Sequence, residues 1–270
     1  FRHQRFAGYK AQRVKAPAEL YAQIPRVKEI ARGFNIPIFE LAGFEADDLI
    51  GTLAGRVDGA VEKIIVTGDM DTMQLINDQT KVFTMKRGLT DAMIYDKKAV
   101  RERYGLEPSQ MIDFKALRGD PSDNIPGVRG IGEKTATELL QKFNSLDGVY
   151  KNIKSEKIRE RVRELLARHK DEAYMSQELA TIKRDVKIEF DLAKARFGDF
   201  DREKLAKLFN ELEFRSLLPR LQALGQAGEE RLLKTDGYEQ IDKFKRNFEL
   251  FKYELIDSEK KFSKFLKKLA

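Results

Sequence analysis

The chain has 270 residues, 51 Lys and Arg against 44 Asp and Glu, a net charge of +7, no Cys and only two His. Without thiols it can build neither a disulfide nor a Cys-ligated zinc or iron–sulfur site, and two imidazoles argue against a His-rich metal site or a Ser-His-Asp triad. A hydrophobic content of 41% is too high for a disordered chain and enough for one large or two smaller cores. No apolar run reaches the roughly 18 residues that cross a membrane.

The chain opens on Phe1 without a signal-peptide pattern, and FRHQRFAGYK reads as the middle of a longer chain, so an upstream segment is expected. Residues 1–15 interleave Arg2, Arg5, Lys10, Arg13 and Lys15 with Phe1, Phe6 and Tyr9 and hold no acid. Leu20, Ile24, Val27, Ala31 and Phe34 recur at helical steps and predict a helix over 17–34, with Pro17 in its first turn and a kink or break at Pro25. IPIFEL (36–41) reads as a short strand, and 45–57 as a helix opening on Glu45, Asp47 and Asp48. KIIVTGDMD (63–71) reads as a buried parallel strand running into a loop. A short helix at 73–77 and strands at 81–85 and 93–96 complete an α/β unit with a parallel sheet.

From 97 onward the pattern is helical: 97–103, 109–118, 133–143, 155–168, 171–178 and 201–212, interrupted by extended VKIEF (186–190). GQAGEERLLKTDG (225–237) reads as a linker. FKYELID (251–257) reads as a strand, with Asp257 and Ser258 capping a basic helix over 259–269.

The charge divides into a basic arm of net +6 over 1–34, an acidic middle of −5 over 35–123 and a basic second half of +6 over 124–270. That pattern suits a polyanion gripped on both sides of a carboxylate-rich centre, although solvated helix faces would give the same count. The acids of the middle stand in three groups: Glu45, Asp47 and Asp48; Asp69 and Asp71; Asp120 and Asp123. Each group lies at an element end or a turn, and Asp69 and Asp71 follow a strand's carboxyl end, where ligands bind in open α/β sheets. All-oxygen donors suit Mg²⁺ or Mn²⁺, and a pair of such ions is a device for phosphodiester hydrolysis. The plainer alternative is three unrelated solvated turns.

IPGVRGIGEKTATELL (125–140) is not a P-loop, because Glu133 separates Gly132 from Lys134, and its glycine order does not fit a dinucleotide fingerprint. It fits a helix–hairpin–helix, in which Gly127, Gly130 and Gly132 allow the backbone to approach a phosphate and Arg129, Lys134 and Thr135 contact the DNA backbone without reading sequence. A purely structural glycine turn is the alternative.

GFEADDLIG (43–51), VTGDMDTMQL (66–75), GDPSDNIPGVRGIGEKTA (119–136) and EFRSLL (213–218) together resemble the 5′-nuclease domain of bacterial DNA polymerase I, of the flap-endonuclease-type family, over residues 1 to about 220. YELIDSEKKFSKFLKKL (253–269) resembles the opening of the 3′–5′ exonuclease-like domain that follows in such polymerases. The resemblance implies a PIN-like parallel-sheet core over 1–104, lacking its first strand and carrying the remnant of a helical arch. An all-helical helix–hairpin–helix subdomain over 105–224, a linker over 225–250 and the start of the next domain over 251–270 would follow.

It further implies two Mg²⁺, replaceable by Mn²⁺, on Glu45, Asp47, Asp48, Asp69, Asp71, Asp120 and Asp123, with K⁺ at the hairpin turn. Lys10 and Arg13 would stabilise the scissile phosphate, Arg2 would line the same path, and Tyr9 would stack on a base or pack inside. His3 and His169 receive no chemical role. The implied function is hydrolysis at 5′ ends and flaps of branched or RNA-primed DNA by a cytoplasmic, nucleoid-associated monomer joined to the remaining polymerase domains. Two metal-binding Asp residues of the family have no counterpart in the chain. A DNA-binding piece that does not cut, or less closely a PIN-domain ribonuclease, are therefore the rival readings.

Overall fold

The computed structural model describes residues 2–57, 59–85, 92–195, 197–198 and 200–226. The expected linker and the strand and helix beyond it lie outside these residues from 227 onward. Two compact units divide the chain, Phe1–Leu218 and Pro219–Ala270.

In chain order the first unit begins with α1 (Arg2–Arg5), α2 (Ala18–Gly33), α3 (Ala46–Arg56) and β1 (Lys63–Val66). A 3₁₀ turn, Met70–Leu75, leads to β2 (Thr80–Met85), β3 (Ala92–Tyr95) and α4 (Lys97–Tyr104). Then come α5 (Met111–Arg118), α6 (Glu133–Phe143), α7 (Leu146–Lys151), α8 (Glu160–Arg168), α9 (Lys170–Ala180) and α10 (Arg202–Glu211). A last helix, α11, spans Leu218–Gln226.

The sheet has the order β1-β2-β3, parallel between β1 and β2 but antiparallel between β2 and β3. The expected all-parallel sheet is thus a mixed one. Only six residues separate Met85 from Ala92, too few for the crossover of about a dozen that a parallel neighbour needs. Ile65 stands opposite Val82 and Val82 opposite Tyr95, a buried row across the three strands. IPIFEL forms no ladder. Among the described residues β1 pairs only with β2, and Ile64 and Val66 are exposed.

The main core joins this row to the helices through Met73, Phe114, Leu117, Leu140, Leu146 and Leu166, all essentially inaccessible. Helix α5 is its axis, packed against α6 and α9. The predicted helix at 155–168 shortens to α8, since Ile158 N–H closes a turn on Ser155 O at 3.0 Å. Helix α7 went unpredicted although it is short and capped, with Ser145 Oγ accepting from Gly148 N–H at 3.0 Å. Pro25 does not interrupt α2. The Tyr21 carbonyl that its missing N–H orphans lies on an exposed helix, where water can satisfy it. Leu20, Ile24 and Val27 are exposed rather than core. The apolar docking of α2 is at its end, where Phe34 meets Phe197, Phe200 and Phe209 at ring separations of 5.0–6.1 Å.

One glycine contact fixes how the acidic turn meets α5. Gly127 has φ +61°, and a Cβ there would lie 2.2 Å from Gly119 N. Both atoms are backbone, so neither can rotate away. Gly127→Ala is expected to destabilise the chain by about 3 kcal/mol and lower its melting temperature by roughly 6–12 °C in a calorimetric scan. An unchanged melting temperature would mean the two turns are not held this closely.

Candidate functional site

The first acids gather where α3 begins. Glu45 is the N-cap, and its side chain and that of Asp48 form a reciprocal capping box, with Glu45 N–H donating to Asp48 Oδ2 at 3.1 Å. Asp48 is fully buried and also accepts both arms of the Arg2 guanidinium at 2.8 Å and Lys183 N–H at 2.8 Å. Burial works against its ionisation, but Arg2 and the two backbone donors outweigh that and hold its pKa below the usual range.

Two expected site residues thus face each other. Asp48 has spent its lone pairs on donors of the protein. Arg2, also bound to Leu179 O and Thr181 O at 2.9 Å, ties α1 to the end of α9. The two oppositely charged groups are desolvated together, so removing either alone would strand the other.

A second knot surrounds Asp123. Arg13 donates to Asp123 Oδ1, and Tyr9 Oη donates to Asp123 Oδ2 or Glu45 Oε2, each at 3.2 Å. Lys10 Nζ lies 2.6 Å from Glu45 Oε2, 3.5 Å from Asp123 Oδ2 and 4.8 Å from the Tyr9 ring centre. Lys10 reaches this place from a left-handed backbone, φ +54°, and its N–H donates to Asp123 O at 2.9 Å. Tyr9 is 2% exposed, with burial first and then Glu45 and Asp123 raising its pKa. Its ring packs edge-on to His3 and is not presented to a base, which corrects the stacking expectation in favour of packing.

The third cluster lies at the carboxyl end of β1. Asp69 caps the 3₁₀ turn, accepting Asp71 N–H at 2.9 Å. Lys115, in the last turn of α5, donates to Asp71 Oδ1 and to Asp120 Oδ2, the latter at 2.6 Å. Asp120 also accepts Ser122 N–H at 2.9 Å and Ser122 Oγ–H at 2.7 Å. Against its burial, these donors bring its pKa down to about 2. Asp71 shares the same lysine, yet burial pushes it up to about 6, with Asp69 and Asp120 adding repulsion. Burial weighs most on Asp71, and among the described residues Asp120 has three donors where Asp71 has one.

Asp47 links the clusters. Its carboxylate accepts no hydrogen bond among the described residues, and burial, then repulsion from Asp69 and Glu45, pushes it up to about 6. Beside these acids lies an open cavity of about 530 Å³ bounded by Asp69, Asp71, Tyr104, Lys115, Arg118 and Asp120. A larger one, about 740 Å³ between Arg32 and Phe197, is remote from the paired acids. As they stand, no three acids or imidazoles among the described residues are gathered closely enough to hold a metal ion. Protein cations occupy the gaps between them. The donor chemistry nonetheless fits a hard divalent ion, because the donors are carboxylate oxygens whose mutual repulsion a cation would relieve.

The glycine turn divides in two. Gly127 is buried and its N–H donates to Ser176 Oγ at 2.9 Å, so it serves the fold and not a phosphate, contrary to expectation. Arg129, Gly130, Gly132 and Lys134 are exposed, Thr135 is half-buried, and Gly132 caps α6 in an extended conformation without a side-chain bond to the first turn. The exposed glycines, the N-terminus of α6 and the neighbouring cations form a surface suited to a backbone phosphate.

Residues 1–105 match the sequence profile of the N-terminal, resolvase-like domain of 5′–3′ exonucleases, and residues 106–203 that of their C-terminal SAM fold. DNA polymerase I of Chloroflexus aurantiacus is 45% identical over 234 residues, 84% of this chain and 25% of that protein. The enzyme of the same name from Bacillus caldotenax is 43% identical over 235 residues, 87% of this chain and 27% of that one. The chain thus spans about a quarter of the length of the curated relatives it matches.

Among solved structures, the bacteriophage T5 5′-exonuclease with bound zinc superposes with a TM-score of 0.51 at 24% identity, covering 67% of this chain and 69% of that one. The T5 flap endonuclease in a complex with DNA and metal ions gives 0.55 at 17% identity, covering 83% and 79%. At such identities the likeness shows the fold alone, an α/β core followed by a helical part. The chain belongs to the 5′–3′ exonuclease family.

Sequence reasoning missed Lys115 and Arg118. Both read as ordinary basic residues of a helix's last turn, and only the turn that brings Asp120 back to α5 shows what Lys115 meets. Asp47 supplies a stability test. Its raised pKa means that the folded chain binds a proton better than the unfolded chain, so the stability this gives is present below about pH 4 and lost as pH rises through about 6. With divalent ions chelated, Asp47→Asn is expected to melt above the parent at about pH 8, the difference vanishing towards about pH 4. A variant that melts below the parent at the higher pH would contradict this.

Proposed function

We propose that the chain is the metal-dependent 5′-nuclease segment of a DNA polymerase I, hydrolysing phosphodiesters at the 5′ ends and flaps of branched DNA. The observation that carries this reading is the meeting of Glu45, Asp47, Asp69, Asp71, Asp120 and Asp123 around basic side chains at the end of β1. The curated relatives bear the name DNA polymerase I, and a structural neighbour is a flap endonuclease in complex with DNA and metal ions.

Those six acids would hold two Mg²⁺, or Mn²⁺ in their place. Bound there, the ions supply an activated water and charge relief at the leaving oxygen. Lys10 and Arg13 sit against Glu45 and Asp123, next to the place where a scissile phosphate has to lie, and would clamp it once the acids no longer compete for them. The exposed part of the 129–135 turn would grip the duplex backbone, which makes binding independent of sequence and sensitive to salt. We place the nuclease core at 1–104 and the helical DNA-binding part at 105–224, followed by a linker at 225–250 and the start of a 3′–5′ exonuclease-like domain at 251–270. RNA-primed DNA as a further substrate, K⁺ at the hairpin turn, a monomeric state, association with the remaining polymerase domains and a cytoplasmic place at the nucleoid belong to the same reading. Among the described residues no helix is long and apolar enough to cross a membrane.

The acids' present pairing with Arg2, Lys10, Arg13 and Lys115 favours one rival, a segment that holds branched DNA without cutting it. Joint replacement of Asp69 and Asp71 by Asn separates the two. The substituted chain is expected to bind a 5′-flap duplex with a Kd within about threefold of the parent's, since phosphate contacts dominate affinity, and to lose Mg²⁺-dependent cleavage. Undiminished cleavage would remove both residues from the metal site, and a parent chain that binds but never cuts would establish the rival.

A further inference from the structure

Through its ammonium, Lys115 hydrogen-bonds two acids from different elements, Asp71 and Asp120. Its side chain is 14% exposed, against 20% for Asp71 and 15% for Asp120. It leaves α5 and ends between the 3₁₀ turn that carries Asp71 and the turn that carries Asp120. The two carboxylates have unequal support without it. Ser122 holds Asp120 through two further bonds, whereas the Asp71 carboxylate has Lys115 as its one hydrogen-bond donor among the described residues.

We propose that Lys115 is an internal counter-ion that keeps Asp71 and Asp120 together until a divalent cation displaces its ammonium, and that it thereby sets the affinity of the site for metal. The proposal rests on the metal-dependent reading above. A divalent ion shared by Asp71 and Asp120 would compete with the Lys115 ammonium for their carboxylates, and two positive centres crowded between the same acids repel. The ion brings twice the charge, and the lysine has somewhere to go. Its stem has four rotatable carbons, and the cavity of about 530 Å³ lies directly beside it, open to solvent. The walls there are Tyr104, Phe114 and Met111, along which an alkyl stem can lie with its charged end in water.

Lys10 does not meet the same conditions, because Glu45 and Asp123 each have other donors in the capping box, Tyr9 and Arg13. Without Lys115 the two acids would repel, and the ion would enter without having to break an ion pair.

Two measurements on the full 270-residue chain test this. The first needs no variant. Lysines are acetylated with a limiting amine reagent, with and without Mg²⁺, and the rate at each is read by mass spectrometry, with Lys98, 81% exposed, as internal reference. Lys115 is expected to react slowly without the ion and several-fold faster with it, while Lys98 does not change. An unchanged Lys115 rate in a chain that has taken up Mg²⁺ overturns the proposal.

The second is calorimetric titration of Mg²⁺ into the parent, Lys115→Met and Lys115→Arg. Lys115→Met is expected to bind about tenfold tighter and Lys115→Arg about as the parent does. Equal or weaker binding by a folded Lys115→Met chain overturns the proposal, and if that variant does not fold, the acetylation result decides. Binding by the parent with no response at Lys115 sinks this inference alone. A parent that takes up no divalent ion at all sinks the metal-dependent reading together with it.

Discussion

Mutual repulsion of crowded, mostly half-buried carboxylates is the constraint around which this chain is organised. Glu45, Asp47, Asp69, Asp71, Asp120 and Asp123 come from the start of α3, the end of β1 and the turn after α5, and the fold brings these three places together. Each desolvated negative charge raises the cost of its neighbours. The chain meets that cost with its own cations, Lys10 and Arg13 on one side and Lys115 on the other. Asp47 is left over, its carboxylate accepting no hydrogen bond among the described residues.

The same chemistry serves two purposes only a few residues apart. Asp48 and Arg2 form a closed, saturated pair that fastens the N-terminal turn to α9. Asp47, one position earlier on the same helix, faces the other acids and is unsaturated. Helical geometry explains the split, because consecutive side chains point about 100° apart and cannot share an environment. A structural ion pair and a reactive acid can therefore be neighbours in sequence without being neighbours in function. The glycine turn shows a similar division, Gly127 packed against Gly119 and Ser176 while Gly130 and Gly132 remain at the surface.

The α/β character, the strand leading into Asp69 and Asp71, most helices after 97 and the three acid groups were legible from periodicity and turn residues. These are local signals. The direction of β3 was not recognised, although the six-residue connection from β2 already argued for it. Leu20, Ile24 and Val27 carry a core-like spacing without a core to meet, since periodicity reports a face and not what covers it. Partner identity was the least legible part. That Arg2 would find Asp48, that Tyr9 would be buried between two carboxylates, and that Lys115 would bridge Asp71 and Asp120 are contacts across 46, 36, 114, 44 and 5 residues, and sequence spacing carries no trace of the long ones. Lys115 and Asp120 are close enough in sequence to have been noticed, but a glycine turn lies between them and breaks the helical spacing.

The central claim is that acids now balanced by lysine and arginine become a metal-dependent centre for cutting 5′-branched DNA. It is tested most directly by incubating the chain with an end-labelled 5′-flap duplex and with single-stranded RNA, each in Mg²⁺ and in chelator. The account predicts that the flap is cut in Mg²⁺ alone, with the RNA cut far more slowly. A flap that is bound but stays whole in Mg²⁺, or RNA cut in preference to it, would contradict the account.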